Sequence, residues 1–288
     1  MGTHLPKYTE RIFLILFLTL PLLSVKAQNQ VVVAGPDTAI CAGQQVTLNA
    51  TVIGSGPGNQ GTVNLNDDQY SGVVPIGFNF NYWGNTYSSC IISSNGYVSF
   101  NTGNANGYSS WSINGGIPGN GPANAIMAPW QDINPSAFTS PTGVISYKTV
   151  GNAPNRIFIV EFRDINMFSC TNICYGAQIH LYEGSNIIET HIASKQLCPS
   201  WNSGRAIHGI QNANGTQAVV VPGRNFPTQW SATADGQRFT PNGGSYTVAP
   251  TAFSPIFIAT NIPAIQWTTL GGAPVGSGNS INVSPNTT

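Results

Sequence analysis

No stretch after residue 28 shows the capped, sustained 3.6-residue periodicity of an amphipathic helix. Instead, short apolar or alternating runs are separated by clusters of Gly, Asn and Pro. The 32 glycines and 20 prolines supply turns and oppose long helices. Because 41% of the residues are hydrophobic, the chain can still bury a core. The sequence therefore predicts an all-β protein with a β-sandwich or jelly-roll-like architecture.

Several runs predict individual elements. Residues 76–82 alternate, which places four large side chains on one face: Ile76, Phe78, Phe80 and Tyr82. Asn95-Gly96 lies between two β-forming runs, and this dipeptide favours a hairpin turn. Residues 102–123 are polar and glycine-rich, and we expect them to form a long ordered loop or a lid.

The clearest hairpin spans residues 177–192 around a turn at 183–186. Its register places His180 opposite Glu189 and Gln178 opposite His191. Four apolar residues then share the core face: Ile179, Leu181, Ile188 and Ile192. We expect His180, Glu189 and His191 to lie on an exposed outer face. Two histidines and a carboxylate can bind zinc or copper, but an ordinary polar face explains the same pattern.

Residues 1–27 predict a secretory signal peptide. Lys7 and Arg11 give it a positive start, residues 12–23 form its apolar centre, and a cleavage site follows Ala27. This apolar run is too short to span a bilayer, and no later run is longer, so we predict no transmembrane segment. The expected location is secreted, meaning extracellular, or on the outer cell surface.

Charge is scarce, since Asp, Glu, Lys and Arg make up 7% of the chain and ten basic residues balance ten acidic ones. Such a chain lacks the basic face that nucleic acid or anionic lipid requires. The sequence also lacks the G-x-S-x-G, H-E-x-x-H and P-loop motifs of common enzymes. We therefore expect a non-enzymatic protein that needs no cofactor, with calcium as the one open possibility.

The cysteines predict disulfides, because exported proteins fold in an oxidising compartment. The candidates are Cys90, Cys170, Cys174 and Cys198, and their pairing is left open. Cys170 and Cys174 also have a spacing that some zinc sites use, but the second pair of ligands is missing.

Two turns carry candidate calcium ligands. Asp132 and Asn134 lie in a turn closed by a proline, and Asp67 and Asp68 precede a predicted strand. Calcium prefers carboxylate, amide and carbonyl oxygens. The same side chains also stabilise turns without any metal, so both interpretations remain open.

Aromatic residues in glycine-rich loops are candidate ligand contacts, because their flat apolar faces can stack on sugar rings. These residues are Trp83, Trp111, Tyr108 and Trp201, and Trp83 and Trp111 are the first choices. The alternative is that they are buried, as aromatic side chains usually are.

The two ends of the chain resemble one repeat broken in two. Residues 31–51 are similar to the start of the Ig-like (PKD-like) repeats of Bacteroidetes surface proteins. The shared pattern is Gly35-Pro36-Asp37, Ile40-Cys41, Gly43 and Val46-Thr47-Leu48. Residues 264–267 and 276–285 resemble the later part of the same repeat.

This resemblance implies an Ig-like module in two parts, 28–60 and 251–288, with a separate domain inserted at 61–250. It also implies that the chain continues beyond residue 288, where a partner for Cys41 would follow. Proteins with such repeats often carry a far C-terminal sorting domain for type IX secretion.

The inserted segment resembles a Bacteroidetes extracellular module reminiscent of nidogen-like (NIDO) domains. The matching segments are 67–68, 75–80, 93–100, 128–132, 143–147, 153–156 and 209–212. The resemblance implies adhesion to a glycan, a matrix component or a cell-surface protein. Two other functions stay open, a passive spacer that presents another domain and a carbohydrate-active enzyme of unrecognised type.

Overall fold

The structure is a computed structural model that describes residues 31–34, 46–53, 59–137, 143–256, 266–269, 274–277 and 280–283. The predicted signal peptide at 1–27 lies outside the described residues, as does Cys41 with most of the Ig-like motif. Within the described part, no helix has the length and apolar character needed to cross a membrane.

The described chain is almost entirely β-structure. The strands are β1 Val31–Ala34, β2 Val46–Ile53, β3 Gln60–Val63, β4 Val74–Tyr82, β5 Asn85–Ile92, β6 Tyr97–Ser99, β7 Ala125–Trp130, β8 Val144–Val150, β9 Ile157–Asn166, β10 Cys174–Tyr182, β11 Ile188–Lys195, β12 Ile207–Gln211, β13 Ala218–Val220, β14 Ala232–Asn242, β15 Ser245–Thr251, β16 Gln266–Thr268, β17 Pro274–Ser277 and β18 Ser280–Val283. Helical structure among these residues is limited to two 3₁₀ turns, Thr102–Asn104 and Asn202–Gly204.

Two antiparallel sheets form a β-sandwich. One has six strands in the order β13-β12-β7-β6-β5-β4, and the other has seven in the order β15-β14-β11-β10-β9-β8-β3. A shared apolar core includes Phe80 and Tyr82 of β4 and Phe158 and Val160 of β9. The predicted all-β sandwich is confirmed.

Strand β4 shows how the alternating sequence builds this core. Its side chains alternate between buried and solvent-facing, and the four predicted core residues are all buried. Complete burial of an apolar side chain of this size contributes roughly 1.5–3 kcal/mol. The period of two in the sequence therefore determines which face of β4 enters the sandwich.

The predicted Asn-Gly hairpin is also confirmed, since β5 pairs antiparallel with β6. Gly96 in its turn has a φ of 80°, which residues with a side chain rarely adopt. A Cβ atom at this position would lie 2.3 Å from the carbonyl oxygen of Pro129. The turn therefore requires glycine, both for its backbone conformation and for its contact with the end of β7.

The polar stretch between β6 and β7 is an ordered loop, as predicted. It contains no strand and one 3₁₀ turn. Ile113 and Ile117 of the loop are buried in a second apolar cluster with Met127, Trp130 and Ile207. The loop therefore packs against side chains of the six-stranded sheet.

The predicted hairpin at residues 177–192 forms with the predicted register. β10 and β11 pair antiparallel, with His180 opposite Glu189 and Gln178 opposite His191. The four apolar residues of the core face are buried as expected. Alternation and the position of the turn were sufficient to set this register.

The expectation of an exposed outer face on this hairpin is wrong. His180, Glu189 and His191 are at most 4% exposed. Residues 252–256, named the strap here, follow β15 and cover them. Gln178 binds both the backbone N–H and the carbonyl of Ile256 at 2.8 Å, and the Ser254 N–H donates to His191 Nδ1 at 3.3 Å.

The chain ends contribute to two smaller sheets. β18 pairs antiparallel with β2, which also pairs with β1, and β16 pairs with β17. Strands more than two hundred residues apart in sequence thus share one sheet. The Ig-like module interrupted at 61–250 stays a prediction, as do its boundaries.

The cysteines correct part of the disulfide prediction. Cys170 and Cys198 form a disulfide, whereas Cys90 and Cys174 are free thiols with respect to the other described cysteines. The Cys90 thiol is fully buried in the core, and burial raises its pKa to about 12. Because Cys170 is consumed by the disulfide, the zinc interpretation of Cys170 and Cys174 is also wrong.

Candidate functional site

Three of the four candidate calcium ligands converge in the structure. Asp67 and Asp68 follow β3, and Asp132 follows β7. One carboxylate oxygen from each of the three lies within 4.8 Å of those of the other two. We call these three residues the acidic cluster.

Asn95, in the turn between β5 and β6, holds the two segments of the acidic cluster together. Its Nδ2 donates to Asp68 Oδ1 at 2.9 Å, and its Oδ1 accepts the N–H of Ile133 at 3.2 Å. Its carbonyl oxygen also accepts the N–H of Gln131 at 3.2 Å. The residues that flank Asp132 are therefore fixed to the same side chain and backbone that position Asp68.

Asn134, the fourth candidate calcium ligand, is not a member of the acidic cluster. Its Oδ1 accepts hydrogen bonds from the Ser136 N–H at 2.9 Å and from the Ser136 hydroxyl at 2.7 Å. This is the local pattern by which asparagine stabilises a turn. The structure therefore supports the turn interpretation for Asn134 and separates it from the three aspartates.

The acidic cluster is electrostatically unfavourable when all its members are ionised. Burial, followed by the charges of Asp68 and Asp67, raises the pKa of Asp132 to about 7, against a hydrogen bond from Trp201. Burial and the charge of Asp68 raise the pKa of Asp67 to about 6. Burial also raises the pKa of Asp68. A cation at this position would relieve the repulsion.

Two of the predicted ligand contacts adjoin the acidic cluster. The Trp201 indole N–H donates to Asp132 Oδ2 at 2.6 Å. The rings of Trp111 and Trp201 stack with centroids 5.5 Å apart and planes 26° apart. Phe168 packs on Trp201 at 4.8 Å, so Trp201 is packed between two other rings.

The tryptophan pair borders an open groove of about 400 Å³. Its lining includes Trp111, Asn114, Trp201, Asn202 and Arg205. Both indoles are half-buried, and Asn114 is exposed. The groove thus combines aromatic carbon with neutral amides and one guanidinium group.

Tyr108 lies beside the same cluster. It forms an isolated β-bridge with Gln69, the neighbour of Asp68. Burial, followed by the charges of Asp68 and Asp132, raises the pKa of its hydroxyl. Its side chain is nevertheless 65% exposed. We call the surface formed by the acidic cluster, Tyr108, Trp111 and Trp201 the acidic end of the sandwich.

Trp83 lies far from the acidic end. It packs at the tip of the β4–β5 hairpin against Tyr82 and Tyr246. The Tyr82 hydroxyl donates to the carbonyl of Ala125, the first residue of β7, whereas Asp132 follows the last. At ~3.3 Å per residue, β7 separates Trp83 from the cluster by roughly 20 Å. Trp83 therefore cannot share a small ligand with Trp111.

The other set of candidate metal ligands, His180, Glu189 and His191, forms a closed hydrogen-bond network. Ligand atoms of His180, Glu189 and His191 also lie within 4.8 Å of one another. However, Glu189 binds Arg238, Tyr182 and His191 through its two oxygens. Since His191 Nδ1 accepts a backbone N–H from the strap, its Nε2 carries the proton that Glu189 accepts. These contacts give the group a structural role beneath the strap.

Sequence reasoning missed Asn95 and Phe168 as parts of the site. The sequence indicates only a turn role for Asn95, because Asn-Gly is such a strong hairpin signal. Its complete burial and its contacts to two distant segments show a second role. For Phe168, no local pattern indicated stacking on a tryptophan 33 residues later.

The model of the NIDO-related family matches residues 46–250. The match covers both sheets of the sandwich and every residue of the acidic end. Comparison with curated proteins gives no match, and neither does comparison with solved structures.

Proposed function

Because the chain belongs to the NIDO-related family, we propose that it is an extracellular adhesion module that binds through its acidic end. The ligand is a glycan, a matrix component or a cell-surface protein, bound without catalysis. The Cys170–Cys198 disulfide supports this location, since disulfides persist in oxidising compartments. Export through the signal peptide at residues 1–27 belongs to the same proposal.

The observation that carries the proposal is the pairing of Trp111 with Trp201 along an open groove. Tryptophan is among the residue types enriched at the side chains that dominate binding energy in protein interfaces. Asn114 and Asn202 line the same groove and offer neutral hydrogen-bonding groups that suit hydroxyl-rich ligands. The low charge of the chain favours a neutral polysaccharide over a polyanion.

The acidic cluster favours binding over glycoside hydrolysis. Glycosidases hold their two carboxyl groups about 5–5.5 Å or 6.5–9.5 Å apart, with the scissile bond between them. Oxygens of Asp67, Asp68 and Asp132 lie within 4.8 Å of one another. In addition, Asp132 Oδ2 accepts the indole N–H of Trp201. The nearest oxygens of the three acids are therefore closer together than the two carboxyl groups of an inverting glycosidase, and one oxygen of Asp132 is already bonded within the protein.

One observation favours the second candidate function, a passive spacer. Trp201 is packed between Trp111 and Phe168, so part of its ring surface is used inside the protein. In a spacer the stack would only stabilise the loops. The two functions differ in whether the exposed parts of Trp111 and Tyr108 contribute to binding.

The test is binding of the purified chain to a panel of polysaccharides and matrix proteins. We expect at least one saturable ligand, and Trp111→Ala should weaken its affinity about tenfold or more. Trp83→Ala is the matched control, because it removes an equally large ring at the opposite end of β7. The affinity of Trp83→Ala for the same ligand should stay within about twofold of the affinity of the unmodified chain.

Two outcomes would contradict the proposal. A folded chain without any ligand on the panel would favour the spacer. Equal losses in Trp111→Ala and Trp83→Ala would place binding away from the acidic end.

A further inference from the structure

We propose that the acidic cluster is a binding site for a hard divalent cation, with calcium as the best fit. The ligands are the carboxylates of Asp67, Asp68 and Asp132. The proposal does not depend on adhesion, because the cation would bind whether or not a macromolecular ligand is present.

The spacing of the oxygens suits a single ion. Calcium binds oxygen at 2.3–2.6 Å, so two oxygens on one ion lie at most about 5 Å apart. One oxygen from each of the three carboxylates meets this limit, since all lie within 4.8 Å of one another. The three residues come from two segments that Asn95 fixes in place, so the arrangement is organised before any ion binds.

Unpartnered buried oxygens point to a missing ligand. Asp132 is only 6% exposed, and its Oδ1 atom has no hydrogen-bond partner among the described residues. Asp67 Oδ1 is likewise inaccessible and without a partner. Burial of a carboxylate oxygen without a donor is costly. A cation coordinated through these oxygens would supply the partner that they lack.

Three other acids of the described chain pair with arginines, and the buried Glu161 is bonded by the neutral side chains of Gln178 and Ser146. Glu183 pairs with Arg156, Asp235 with Arg224, and Glu189 with Arg238. The side-chain donors to the acidic cluster are instead neutral, namely the Asn95 amide and the Trp201 indole. The charge of three clustered carboxylates is therefore left for a cation to balance.

The chemistry of the donors selects the cation. All three are carboxylate oxygens, which suit calcium or magnesium better than the nitrogen- and sulfur-binding metals. Calcium accepts six to eight oxygens in flexible geometry, whereas magnesium demands a near-ideal octahedron. Three carboxylates from two loops match calcium more closely, with water completing the shell.

The experiment uses calcium chloride and terbium chloride as probes on the purified chain. Calorimetry should show saturable calcium binding with a Kd of about 10⁻⁴–10⁻³ M, the range of extracellular modules. Terbium should show luminescence on tryptophan excitation, because the Trp201 indole contacts Asp132. Saturating calcium should raise the Tm by about 5 °C.

The decisive variant is Asp132→Asn, with Asp164→Asn as the matched control outside the cluster. Asp132→Asn should weaken calcium binding at least tenfold and abolish the calcium-dependent rise in Tm. Without calcium its Tm should be at or above that of the unmodified chain, because one repelling charge is gone. A purely structural aspartate would instead give a lower Tm at every calcium concentration.

Asp67→Asn provides a second, independent test if Asp132→Asn does not fold. The proposal is overturned if the folded, unmodified chain shows no saturable calcium binding up to about 10 mM, well above the expected range. It is also overturned if terbium binds but calcium does not. Calcium binding by the cluster variants that is as tight as binding by Asp164→Asn would overturn it too.

Discussion

At the scale of single residues, Asn95 contributes most to the geometry of the acidic end. It is fully buried, and its side chain bonds Asp68, Ile133 and Ser109. An apolar replacement would leave the Asp68 carboxylate and the Ile133 N–H without these partners. Unpaired buried polar groups are more costly than the mean value of a hydrogen bond suggests.

We therefore expect Asn95→Ala to lower the free energy of unfolding by about 2–4 kcal/mol. Asn134→Ala is the matched control, because the Asn134 side chain makes local hydrogen bonds to Ser136. It should cost about 1 kcal/mol or less. Denaturant titration of both variants measures the two effects, and equal losses would show that Asn95 is no more than a turn residue.

At the scale of elements, the strap explains why the polar face of β10 and β11 is buried. The strap follows β15 and is fixed by Gln178 and His191. Beneath it, burial lowers the pKa of His180 to about 3, with a further contribution from His191. The imidazole is therefore neutral in the folded protein across the physiological pH range.

A buried neutral histidine makes stability depend on pH. Because the folded pKa of His180 lies below its ordinary value of 6.5, the unfolded chain binds the proton first as the pH falls. The stabilising effect is complete above pH 6.5 and is lost progressively toward pH 3. Between pH 7 and pH 5 the loss from His180 is about 2 kcal/mol.

The test compares the unmodified chain with His180→Gln, because Asp132 and Asp67 change stability in the opposite direction. Their raised pKa values mean that the folded state binds protons first. Denaturant titrations at pH 7 and pH 5 should show that His180→Gln loses about 2 kcal/mol less than the unmodified chain on acidification. The same pH dependence in both proteins would exclude a buried neutral His180.

At the scale of the whole molecule, the sequence predicted most of the sandwich and every residue of the acidic end, but not that these residues meet. The alternation in β4 and in the β10–β11 hairpin is local, so core faces and register could be predicted from it. Asp67, Asp68 and Asp132 were identified as ligand candidates within their own turns. That they meet depends on β3 and β7 ending at the same end of the sandwich, which no local pattern shows.

The other differences between the sequence-based predictions and the structure also arise from contacts between residues that are distant in the sequence. The outer face of the hairpin is covered by a strap that lies about sixty residues later in the chain. Cys198 pairs with Cys170 rather than with Cys90 or Cys174, and spacing alone could not select among them. Trp83 and Trp111 looked equivalent in sequence, but β7 places them at opposite ends.

The most direct test of binding at the acidic end is a ¹⁵N–¹H NMR titration of the six tryptophan indoles with the tightest ligand from the panel. We expect the signals of Trp111 and Trp201 to shift saturably, while the signal of Trp83 stays in place. Shifts centred on Trp83, or binding that leaves Trp111 and Trp201 unchanged, would contradict a binding site at the acidic end.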